Sequence, residues 1–289
     1  MNTRQFLEAA WDEHAERSEE VAARIGSSLG LIESAEQVPG FVQLLVHVYG
    51  EHLGRWQRGT ELLQSMKPLA VLGGSAAAHA AVDRGVATLR YAGGEGGALE
   101  ALPAEDRVRA LAAASAALAG RDDFTRAIAA FREALRLGEA DWPAGSPAIR
   151  ALAVTGNNLA VALEGKRDRS RPETEAMVGA AEAALTCWKR AGTWLEKERA
   201  EYRLARSLLE AGEPALAVAC AERCLQVCEE HDAPPFERVF AHALVALAHG
   251  AAGDAARSRS HRDAAKRWHE QVPAAERQSC ESDLEALGG

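Results

Sequence analysis

Apolar residues along this chain recur every three to four positions, and no stretch alternates apolar with polar residues long enough to build a sheet. Phe6, Ala10, Ala15, Val21 and Ile25 fall near helical spacing and predict one amphipathic helix over residues 3–25, ended by Gly26-Ser27-Ser28. A more apolar helix is predicted over 40–53, carrying Phe41, Val42, Leu44, Leu45, Val46, Val48 and Leu53. Gly54-Arg55 then turns the chain into a helix over 56–66 that stops before Pro68, which gives a helical hairpin. A third helix covers 75–91, the run Gly93-Gly94-Glu95-Gly96-Gly97 follows it, and Pro103 restarts the chain. The same periodicity predicts helices over 104–119, 123–137, 146–163, 172–190, 193–211, 214–230, 236–251 and 254–269, with a capping helix over 273–287.

Helix pairs therefore recur about every 35–45 residues, the signature of a repeat architecture. The sharpest unit is Leu204-Ala205, Leu208, Gly212, Ala217, Ala221 and Cys224. Large and small residues sit together in its first helix, a glycine closes the turn, and small residues recur along the second helix. Two antiparallel helices approach closely only where one face is small and the other fills the gap. The frame returns in Val46, Gly54, Trp56, Gly59 and Leu63; in Val245-Ala246, Gly253, Ser258 and Ala265; in Ala127, Phe131 and Ala134-Leu135 after Gly120; and in Asn158-Leu159-Ala160 with Ala181 and Ala184-Leu185.

Over residues 41–271 this pattern resembles the tetratricopeptide repeat family. The resemblance implies an all-α fold, a right-handed α-α superhelix of about five hairpins with an N-terminal helix and a C-terminal cap. Its expected divisions are an N-terminal helix and connector over 1–38, a repeat array over 39–272 with a hinge at 92–103, and a cap over 273–289. The helix over 75–91 lacks an evident partner, and an insertion interrupts the repeat near Lys166–Pro172.

Composition narrows the class. The four best helix formers dominate, aromatics make up 5% and hydrophobic residues 47%, ample for a core. A formal net charge of −9 argues against sequence-independent nucleic-acid binding, which needs a basic face. No apolar run spans a bilayer, and the charged start Met1-Asn2-Thr3-Arg4 is unlike a secretory leader. Five cysteines, an odd number, suit free thiols in a reducing compartment, so a cytoplasmic protein is expected. The excess of Arg over Lys together with abundant Ala suggests a GC-rich bacterial source.

The resemblance places the first helix of each pair on a concave face. With the Gly212 turn setting the register, Arg199, Tyr202, Arg203 and Arg206 fall on that face, and Asn157 and Asn158 take matching positions in the preceding repeat. Family members that grip an acidic peptide terminus use an Asn in one repeat and two basic residues in the next, which Asn158, Arg199 and Arg203 match. Arginine presents a planar fork suited to carboxylates. The other half of that clamp is missing, with Ala110 and Ala114 where it belongs. The competing reading is that the arginines pair with Glu198 and Glu201 or face water.

Other constellations read as structural. Cys220, Cys224 and Cys228, four apart on one helix, lack the Cys-x-x-Cys spacing of zinc knuckles. His242, His249, His261 and His269 form a histidine-rich corner without a carboxylate at helical metal-site spacing. The run Lys166-Arg167-Asp168-Arg169-Ser170-Arg171 reads as a solvated insertion, with contact to an acidic partner as the alternative. The glycine run lacks the Lys-Ser or Lys-Thr of a phosphate loop, and no catalytic motif is present. The sequence thus predicts a scaffold that binds a protein or peptide partner, without metal, cofactor, nucleic acid or membrane. A peptide-responsive sensor and an enzyme with an unrecognised site are the alternatives. Leu29, Leu31 and Ile32 need cover, either from the array itself or from a second copy in a homodimer.

Overall fold

The structure, a computed structural model, describes residues 2–139, 142, 143 and 145–287. Among them are helices and turns and no strand. The chain divides between Thr155 and Gly156 into two compact units.

The first unit opens with α1 (Thr3–Glu13) and α2 (Ser18–Ser27), where the sequence predicts one helix. Arg17 leaves the helical region, and Glu19 and Glu20 place carboxylates in a new first turn, where unpaired N–H groups favour negative charge. The break lets Phe6 and Ala10 on α1 and Val21, Ala22 and Ile25 on α2 enter one core. Asn2 caps α1, accepting from Gln5 N–H while the Gln5 side chain accepts from Asn2 N–H. Phe6 stacks on Phe41 of α3 (Val38–Val46) with centroids 5.4 Å apart. Leu29, Leu31 and Ile32 pack into this same core.

Helix α3 runs on into a π turn, His47–His52, rather than ending as an ordinary helix. The Leu53 N–H reaches back five residues to the Val48 carbonyl, and Gly54 adopts φ +61° to turn the chain. Then come α4 (Trp56–Met66), α5 (Ala76–Ala92), α6 (Ala104–Ala119) and α7 (Phe124–Gly138). The helix without an evident partner in the sequence, α5, packs against α3, α4 and α6, while α6 and α7 form a hairpin. The glycine run lies within this unit: Gly93-Gly94-Glu95 follow α5, and Gly96 and Gly97 open a short 3-10 turn at Gly96–Leu99.

Gly59 sits where α4 approaches its neighbours closely. A Cβ there would lie 2.6 Å from Leu89 Cδ1 and 2.9 Å from Tyr49 Cβ. Gly59→Val should therefore cost about 1–3 kcal/mol through overpacking. A melting temperature equal to that of the parent would contradict this packing.

Helix α8 (Pro147–Glu164) contains the division between the units. The second unit continues with α9 (Arg171–Ala191), α10 (Trp194–Glu210), α11 (Pro214–Glu230), α12 (Pro235–Ala251), α13 (Ala255–His269) and the short α14 (Glu281–Ala286). Capping boxes, Ser170 with Glu173 and Thr193 with Glu196, start α9 and α10. Gly212 and Gly253 take φ of +77° and +84° at the tight turns of the α10–α11 and α12–α13 hairpins. Ala205, Ala217, Ala221 and Cys224 are buried, as close helix approach requires. Helix α9 packs on α10, and α11 packs on α12. The C-terminal cap is a 3-10 turn, Arg277–Cys280, followed by α14 rather than one helix, and it seats Cys280 and Leu284 beside Val239, Val272 and Trp268. All five cysteines are buried and free.

Candidate functional site

Helix α10 carries four of the six residues marked by the sequence, and carboxylates from other helices meet them. Arg199 donates to Glu237 of α12 at 2.5 Å while its own side chain stays 56% exposed. Arg203 donates to Glu164 of α8 at 2.5 Å, and the Ser207 hydroxyl holds the other oxygen of that carboxylate at 2.7 Å. Arg206 reaches Asp283 of α14 at 3.2 Å, and the Tyr202 hydroxyl donates to the same oxygen. Burial pushes the Tyr202 phenol well above its usual range, so it stays protonated as a donor. The carboxylates named as partners by the sequence lie elsewhere: Glu201 takes Arg223 at 2.9 Å and Lys189 at 3.5 Å, and Glu198 faces the core.

Glu198 accepts from the Cys224 thiol at 2.9 Å, and Cys228 lies 3.7 Å away. Its second oxygen is buried without a hydrogen-bond partner. Burial, and then the charge of Glu237, raise its pKa from 4.5 to about 7. The same burial, with Glu198 nearby, lifts the Cys224 thiol well above its ordinary value. A thiol so raised is a poor metal ligand and a poor nucleophile, which fits a structural role for this cysteine row.

Asn157 and Asn158 lie on α8, and Glu164, which holds Arg203, lies two turns beyond Asn157 on the same face. Asn158 is exposed, while Asn157 is half-buried with its Oδ1 shielded and unpartnered. Val154 and Val161, 41% and 45% exposed, flank the two amides at helical spacing. Together with Leu216 they are the exposed large apolar side chains among the described residues.

In the basic run, Arg169 donates to the Leu163, Glu164 and Lys166 carbonyls at the end of α8 and to Glu210 at 2.9 Å, and Lys166 pairs with Glu173. Arg169 thus caps a helix C-terminus instead of facing solvent. In the histidine-rich corner His242 and His261 share a 3.0 Å hydrogen bond between their Nδ1 atoms, and burial lowers the His242 pKa to about 4.

One cluster escapes the sequence entirely. His14, His47 and His52 each offer a ring nitrogen within 4.8 Å of the others. Five residues separate His47 from His52, a spacing that sends two side chains of an α-helix to different faces. In the π turn, bonding from residue i to i+5 sets them one turn apart on the same face. His14 joins from the break after α1. A histidine pair five apart gives a sequence reader no signal unless the π turn is foreseen.

No family model matches the sequence, and no curated protein matches it. Solved structures do. A crystal structure from Podosopora anserina, of a chain assigned as a kinesin light chain with nearly identical TPR-like repeats, is 14% identical over 79% of this chain and 92% of its own, with a TM-score of 0.52. A second structure of those repeats is 14% identical over 89% of this chain and 97% of its own, with a TM-score of 0.48. The chain has the TPR-like helical repeat fold, all-α as the sequence predicts. No helix among the described residues is long and apolar enough to cross a membrane.

Proposed function

We propose that this chain is a cytoplasmic binding module rather than an enzyme, and that it holds a carboxylate-bearing peptide on the second unit's face formed by α8 and α10. The observation that carries the reading is the amide of Asn158, which stands exposed beside an uncovered Val161. A carboxamide pairs naturally with a peptide backbone because it both donates and accepts. Val161 offers an apolar seat for a partner side chain.

The arginines divide the remaining work. Glu164 and Asp283 hold Arg203, Tyr202 and Arg206, which keep the face in shape. Arg199, half exposed beside Glu237, is the cation open to a peptide carboxylate, which would exchange with that glutamate or share its arginine. With one such charge-assisted bond, offset by the ordering of a flexible ligand, affinity should be about micromolar. Five shielded, unpaired thiols fit a reducing compartment.

Selection of peptides from a displayed random library tests the reading. The parent protein should enrich peptides with a C-terminal or side-chain carboxylate. A synthetic peptide from that set should bind Asn158→Ala/Val161→Glu about tenfold more weakly or worse, at unchanged helicity, since both positions are exposed. Failure to enrich any peptide, or equal binding by the double variant, would refute the proposal.

A further inference from the structure

We propose that His14, His47 and His52 form a zinc-binding site in the first unit, with three imidazole nitrogens as ligands and a fourth position open to water. The geometry is close to what the ion requires. Zinc sits about 2.0–2.1 Å from imidazole nitrogen in tetrahedral sites, which puts neighbouring ligand nitrogens about 3.3 Å apart. His47 Nε2 and His52 Nε2 are 3.1 Å apart, and the third nitrogen lies within 4.8 Å of both. The rings do not stack. Their centroids are 4.8, 5.0 and 4.7 Å apart for the three pairs, with interplanar angles of 59°, 84° and 84°, so they splay around a common point.

The outer nitrogens are already engaged as metal-binding histidines demand. His47 Nδ1 lies 2.8 Å from Glu51 Oε2, and His14 Nδ1 lies 2.5 Å from the Trp11 carbonyl. Both oxygens only accept, so each Nδ1 carries the proton and each Nε2 keeps its lone pair for a metal. His47 Nε2 is then the acceptor in the contact with His52, and His52 Nε2 carries the proton. Ligation through His52 Nε2 requires the Nδ1–H tautomer, so the neutral ring's single proton moves from Nε2 to Nδ1 by exchange with solvent, with no net proton release from this ring. The Glu51 carboxylate balances part of the ion's charge. Arg121 is the nearby cation, and its guanidinium is tied to the His52 carbonyl at 2.8 Å.

The cluster is packed by its surroundings. Trp11 closes one side with its ring 5.1 Å from both His14 and His47. Gly120 at the end of α6 lies so near the π turn that a Cβ there would be 2.4 Å from Glu51 Cγ. All three rings are half-buried, sheltered yet reachable from solvent. Neutral imidazoles suit late first-row divalent ions as a group, and zinc leads here because a tetrahedral set with one open position imposes no planar geometry.

The test is calorimetric titration of untagged, chelator-stripped protein with zinc chloride. The expected result is one zinc per chain. His47→Ala and His52→Ala should lose binding, and Glu51→Gln, which removes only the outer hydrogen-bonding charge, should weaken it about tenfold or more at unchanged stoichiometry. Circular dichroism of each variant checks folding, and His52→Gln replaces any alanine variant that fails to fold. Cobalt loading should give tetrahedral ligand-field bands without thiolate charge transfer. No zinc uptake, parental affinity in a folded His47 or His52 variant, or a thiolate band placing the ion on the cysteine row would each overturn the site.

Discussion

Glu198→Gln should remove a pH dependence from the stability of this protein and make it more stable near neutrality. Glu198 is 1% exposed, accepts from one thiol, and leaves an oxygen unpartnered. Its pKa is 4.5 when unfolded and about 7 when folded. Between those values the folded chain binds the extra proton, so stability falls as pH rises, and the group's contribution is fully present only below about pH 4.5. A shift of that size is worth on the order of 3 kcal/mol. Glutamine stays neutral throughout. The difference between parent and variant in urea unfolding free energy should therefore grow from pH 4.5 to 7 and then level off. Parallel profiles across that range would show that Glu198 ionises as freely in the folded chain as in the unfolded one.

Phe41→Ala should be the most damaging single truncation in the first unit, at about 3–5 kcal/mol. Phe41 is fully buried, and its ring stacks on Phe6 to fasten α1 to α3. Truncation removes the buried area, leaves a cavity the surrounding helices can only partly fill, and takes away the platform on which α1 rests. Leu216→Ala is the control. Leu216 is 56% exposed on α11, so its loss should change stability by no more than about 0.5 kcal/mol. Comparable destabilisation of the two variants would mean that the assigned core is wrong.

Much of the helical architecture was legible because small residues leave a periodic trace. Gly212 and Gly253 sit at tight turns with positive φ, and Ala205, Ala217 and Ala221 are buried where the repeat frame wants small residues. Breaks inside helices were not legible. The turn after α1 and the π turn after α3 interrupt stretches whose apolar spacing looks continuous, because tertiary packing rather than local propensity decides them. The candidate face was legible in residue type and register but not in charge. Partners close in sequence looked natural for the arginines, yet adjacent residues on a helix point apart, and Glu164, Glu237 and Asp283 come from other helices. A single sequence holds no record of which distant carboxylate arrives, nor of three histidines 33 and 5 residues apart meeting at one point.

The five shielded sulfurs also govern how the molecule meets electrophiles and air. Alkylating reagents attack thiolate, and these thiols are both covered and, at Cys224 and Cys228, strongly disfavoured from ionising. The intact coat of helices is therefore the chain's antioxidant. Crosslinking between molecules must wait for a helix to lift away, so chemical ageing of this protein is paced by how often it breathes.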